Sequence, residues 1–134
     1  MVLVDGKGGK HIPMNPAQYL RMKTAFERQG GEIHRSPEND SYMDYTGVSA
    51  ITSNEKSISF RNDRDPTATE VFEEFIHATQ FRQGKVTANN RLELEIEAAE
   101  KLIRNQSAYG IPESEHLETI GNLEQYKSIL KQRR

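Results

Sequence analysis

From Thr69 to Phe81 the chain reads TEVFEEFIHATQF. Two adjacent carboxylates, a histidine and a glutamine sit there among large apolar residues. On a helix, Glu73 and His77 are four residues apart, Glu74 and His77 three, and Gln80 continues the same stripe. Side chains at i and i+4 can grip one cation, and the residue at i+1 then faces a water on that ion. This is the mechanical content of the H-E-x-x-H helix. Here the pattern is E-E-x-x-H. Glu73 stands where the first histidine would be, Glu74 where the catalytic base would be, and His77 where the second histidine would be.

Such a site needs a third ligand from another element. The next helical stretch, RLELEIEAAEKLIRNQSAYG, carries Glu93, Glu97 and Glu100 on one stripe. Glu97 is the best placed of the three, and Ala98 and Ala99 beside it are small enough for close helix approach. Glu93 and Glu100 are alternatives, and Gln80 is a candidate to orient a ligand as an outer amide. The bland readings are a solvated acidic stripe paired with Lys101 and Arg104, and a half-buried His77 bonded to Glu73.

The elements that would position these groups follow from periodicity and caps. Asn15 and Pro16 open a helix that ends at Gly30-Gly31. EIHR, YMDYTGVSAIT and KSISFRN have strand character, and Asn54-Glu55 suggests a hairpin between the last two. Their short links imply antiparallel pairing. Asp65 before Pro66 is one possible start of the motif helix and the Thr67/Glu70 capping box a second, and Gly84 closes it. The following helix shows Leu92, Ile96, Ala99 and Ile103 on one stripe and stops at Gly110. Pro112 opens a last helix with Leu117, Ile120, Leu123, Tyr126 and Leu130. The expected architecture is α+β: an N-terminal helix, a small antiparallel sheet of about three strands, then three helices packed on it. Residues 1–14 read as a flexible lead or linker and residues 15–134 as one domain.

Bulk properties narrow the function. At 134 residues there is material for one core. Eighteen basic against twenty acidic residues give a charge of −2, without the basic footprint of a phosphate-tracking protein. Nucleic acid is thus a disfavoured partner. No apolar run is long enough to span a membrane. The absence of cysteine removes thiolate metal sites and cysteine nucleophiles. GKGGK lacks the spacing and the Lys-Ser/Thr ending of a phosphate-binding loop.

EVFEEFIHATQF followed by ELEIEAAEKLI resembles the zincin-like metallopeptidase domains at the C-termini of bacterial polymorphic toxins, over roughly Ile58 to Tyr126. The resemblance implies a minimal zincin-like fold and a divalent ion, Zn²⁺ first, held by Glu73, His77 and Glu97. It further implies Glu74 as general base, a protein substrate, a cognate immunity protein, and delivery as a secreted effector into the cytoplasm of a target cell. The carboxylate at Glu73 departs from the pattern. It adds a negative charge that favours harder ions such as Mn²⁺ or Fe²⁺, or else leaves a degenerate, non-catalytic binding module. A different alternative is a nuclease toxin using His34, His77 and Glu74 with Arg61 or Arg82.

Overall fold

A computed structural model describes residues 11–133. Its centre is the motif helix, so the fold is best built outward from there. Thr67 Oγ1 accepts from the Glu70 N–H (3.1 Å), and the Glu70 carboxylate accepts from the Thr67 N–H (2.9 Å). That reciprocal cap starts the helix Ala68–Arg82. Arg64 adds a bidentate grip on Glu70, at 2.9 and 2.8 Å. Gly84, at φ +70°, supplies the left-handed residue that lets the chain turn away after the helix.

In chain order the elements are α1 (Pro16–Arg28), β1 (Glu32–His34), α2 (Pro37–Thr46), β2 (Ala50–Asn54), β3 (Ser57–Phe60), α3 (Ala68–Arg82), α4 (Arg91–Arg104), α5 (Gln106–Tyr109) and α6 (Glu113–Arg133). The α+β class, the N-terminal helix, the three-stranded sheet and the three later long helices are as expected. α5 is an additional single turn.

The sheet differs in one respect. Its order is β1-β3-β2, with β2 antiparallel to β3 but β1 parallel to it. The cause lies between β1 and β2. YMDYT, expected as strand, is instead the second half of α2, which the preceding Ser36 and Pro37 begin. Ser36 accepts from the Asn39 N–H, Pro37 occupies the first turn, and Gly47 ends the helix at φ +75°. Residues that suit a turn also suit a helix start. Met43 is the apolar side chain that α2 buries completely, while Tyr45 stands in solvent. With a helix and β2 intervening, the chain has length enough to return β3 parallel to β1.

α3 lies between the sheet and α4, and α6 packs along α4, with Glu115 of α6 also accepting from the Thr69 N–H of α3. Ile58 and Phe60 from β3 meet Val71 and Ile76 of α3, with Ala98 and Leu102 of α4 completing the core. Each large apolar side chain buried this fully contributes roughly 1.5–3 kcal/mol. Phe72 stacks on Tyr109, rings 3.9 Å apart and nearly parallel. The described part of the expected lead, residues 11–14, is tied down. Met14 is buried in the core, and its N–H donates to the Pro66 carbonyl (2.9 Å) at the entrance to α3. The glycine cluster GKGGK lies outside the described residues.

Candidate metal and acid–base site

Because α3 is packed on both sides, its polar stripe is not a wet face. Glu73 and Glu74 are 3% and 2% exposed, and Gln80 is 1% exposed. Buried carboxylates at this density demand protons, hydrogen bonds or a cation.

Glu74 projects toward β2. Thr52 Oγ1 donates to its Oε1 (2.8 Å), while Oε2 is buried without a hydrogen-bond partner. Burial raises its pKa, opposed by the positive charge of His77 and the hydrogen bond from Thr52. Glu73 lies deeper, with Oε1 also unpartnered. Burial pushes its pKa well up, and the negative charges of Glu74 and Glu95 push it further.

His77 is held at both ring nitrogens. Nε2 is 2.7 Å from Glu95 Oε1 on α4, and Nδ1 is 2.7 Å from Gln80 Oε1. The Gln80 orientation follows from its other contacts. Its Nε2 donates to the Leu94 carbonyl (3.0 Å), which can only accept, and to Glu97 Oε1 (2.9 Å). Its oxygen therefore faces His77, and His77 Nδ1 must carry a proton. Nε2 is left to share a proton with Glu95, or to bind through its lone pair. Burial works against a charged imidazole, but the Glu95 hydrogen bond and the Glu74 charge outweigh it, so the His77 pKa is raised.

The sequence-predicted groups thus divide. Glu73, Glu74 and His77 form one buried cluster, and Gln80 stands behind His77 as an orienting amide. Glu97, expected as the third ligand, is engaged elsewhere. Its oxygens accept from Gln80 (2.9 Å) and Lys85 (2.9 Å), which hold its pKa below the ordinary value. Glu95 takes its place beside His77. Glu93 is exposed, and Glu100 is exposed and 3.7 Å from Lys127. Of the residues of the nuclease alternative, Glu74 and His77 line one cleft and Arg82 is exposed. Arg61 is bound by Asp44 and Asp63, and His34 faces Glu32.

Two contributors were missed. Glu95, Ala98, Ala99 and Leu102 follow helical i, i+3, i+4, i+7 spacing and are the buried face of α4. That stripe was available in the sequence, but it begins with a glutamate and lost to the more apolar Leu92–Ile103 stripe. Thr52, on β2, carried no signal that sequence spacing could show.

His77, Glu74 and Glu95 open onto a cleft of about 640 Å³, walled by β2, α2, the end of α3 and the start of α4. As a donor set, one imidazole nitrogen and three carboxylates fit a divalent cation. The unpartnered oxygens of Glu73 and Glu74 are acceptors that such an ion would satisfy. Among the described residues no three of these groups are already gathered around one point. As it stands, His77 Nε2 lies within hydrogen-bond distance of Glu95 Oε1, at 2.7 Å.

Comparison with protein-family models, with curated proteins and with solved structures finds no match to this chain.

Proposed function

We propose that this chain is a metal-dependent hydrolase acting on peptide bonds, with Glu74 as general base. The observation that carries the reading is the buried Glu73/Glu74/Glu95 cluster: Glu95 bonds to His77, the Glu74 charge acts on the same imidazole, and Glu73 and Glu74 each keep an unpartnered oxygen. A polar group left so costs about 1–3 kcal/mol, a cost that a site for a cation and substrate explains and a purely structural cluster does not.

In this reading Glu73, His77 and Glu95 hold the ion. A divalent ion held by them would supply an acidified water. Glu74, whose Oε2 has no hydrogen-bond partner, would take a proton from the attacking water and return it to the leaving amine. Thr52 fixes the other oxygen, so the carboxylate cannot swing away. Burial raises the Glu74 pKa, which brings the base closer to the operating pH. Gln80 keeps the Nδ1 proton on His77 and so presents Nε2 to the site. The toxin role, the immunity protein and delivery into a target cell rest on the motif resemblance alone and complete the proposal.

The test pairs elemental analysis with Glu74→Gln. The reading expects bound divalent metal in both proteins. It expects peptide hydrolysis and toxicity in the wild type only, with a loss of about 100-fold or more in rate. Full activity in Glu74→Gln removes the base.

A further inference from the structure

The cleft carries one cationic side chain that the proposed chemistry does not use. Arg91, the first residue of α4, lines it together with Glu74, His77 and Glu95. The Arg91 side chain is exposed and, among the described residues, makes no hydrogen bond or ion pair. Most other arginines near the sheet are neutralised, as Arg61 is by Asp44 and Asp63 and Arg64 by Glu70. Asn90, preceding Arg91, gives α4 no side-chain cap. Its amide is spent on the Thr87 N–H and the Lys85 carbonyl. The first-turn N–H groups of α4 therefore add to the positive field at this wall.

The remaining walls are mixed: Val48, Ile51, Phe81, Val86 and Leu94 give apolar surface, and threonines such as Thr46 and Thr87 interrupt it. A ligand seated here shares the cleft with Glu74, which keeps a buried, unpartnered oxygen, and with the Arg91 guanidinium. Arg91 and Glu95 share a stripe of α4, about 6 Å apart along the axis. Successive Cα atoms of a peptide are about 3.8 Å apart. A carboxylate one residue beyond a carbonyl held near His77 and Glu95 falls within the sweep of the Arg91 side chain.

From this we infer that Arg91 is a specificity-determining residue that selects peptide substrates bearing a carboxylate next to an apolar side chain at the bond to be cut. The guanidinium matches a carboxylate with two parallel hydrogen bonds. The inference rests on the peptide-hydrolase reading for its substrate class, but its test reads binding and not turnover. The carboxylate can be a chain terminus or an acidic side chain, and the two sources are separable.

Binding of three probes to the full chain is measured by calorimetry in a Glu74→Gln background, which blocks cleavage and leaves Arg91 intact. The probes are acetyl-alanyl-leucine, its C-terminal amide, and acetyl-aspartyl-leucine amide. The first should bind at least about tenfold more tightly than its amide if the terminus is read; the third should do so if the acidic side chain is read. Adding Arg91→Ala should abolish the preference, and Arg91→Lys should keep part of it, because a lysine retains charge without the fork. Equal binding of acid and amides, a preference that survives Arg91→Ala, or no binding of any probe at millimolar concentration overturns the inference. Failure of wild-type hydrolysis with an intact, Arg91-dependent preference would instead remove the catalytic reading and leave the binding site standing.

Discussion

Gln80 illustrates how a single side chain sets the chemistry of its neighbour. Buried, it accepts from His77 Nδ1 and donates to the Leu94 carbonyl and to Glu97, which Lys85 holds from outside. The amide thereby fixes which imidazole nitrogen faces the cleft. Gln80→Leu keeps similar bulk but leaves a buried ring nitrogen and a backbone carbonyl without partners. A loss of about 2–4 kcal/mol in chemical denaturation is expected. Glu97→Gln, which touches the same amide from the half-exposed side, should cost under about 1 kcal/mol. Glu73 behaves in the opposite sense. Its burial and the charges of Glu74 and Glu95 disfavour ionisation, so Glu73→Gln should stabilise the metal-free protein by about 1–3 kcal/mol at pH 7.5. The gain should vanish at pH 4.5, where the native carboxyl already carries its proton. Urea titration at the two pH values measures it.

At the scale of elements, the close approach of α3 and α4 is what lets Glu95 reach His77. Ala98 and Ala99 are almost fully buried on the α4 face that carries Glu95. Ala98→Leu should overpack this contact, costing about 1–3 kcal/mol and breaking the His77–Glu95 hydrogen bond, which the His77 imidazole resonances would report. The same interface shows what a sequence displays and what it hides. The capping box at Thr67 and the E-E-x-x-H spacing are local, and both were legible. So was α1, whose Asn15 caps the Ala17 and Gln18 N–H groups. The phase of α4 was not, because its buried face pairs two alanines and a leucine with a glutamate, and a carboxylate counts against burial until a partner is known. α2 was hidden for a related reason. Ser36, Pro37 and Asn39 serve a turn as well as a helix start, and only the burial of Met43 distinguishes the two.

For the whole molecule, the buried cluster sets the pH dependence of stability. Glu73 and Glu74 hold protons more tightly in the folded chain than at their ordinary value of 4.5, and His77 more tightly than at 6.5. As pH rises past 4.5 the unfolded chain releases these protons first, so it binds fewer than the folded chain and stability falls. His77 extends the fall above pH 6.5. Glu97 and Asp63, whose pKa values are lowered by Gln80 and by Arg61, oppose this only below pH 4.5. In the presence of a chelator the melting temperature should therefore decline steadily from pH 4.5 to 8, as calorimetry across that range would record. No described helix is long and apolar enough to cross a membrane.

The most direct test of the cluster's purpose is the melting temperature of chelator-stripped protein at pH 7.5, titrated with Zn²⁺ and separately with Mn²⁺. A cation held by Glu73, His77 and Glu95 should raise it saturably at one ion per chain, by about 2.7 kcal/mol of stability at a hundredfold excess over the dissociation constant. The shift should disappear in Glu95→Gln. No shift with either ion, or an equal shift in Glu95→Gln, would contradict the account.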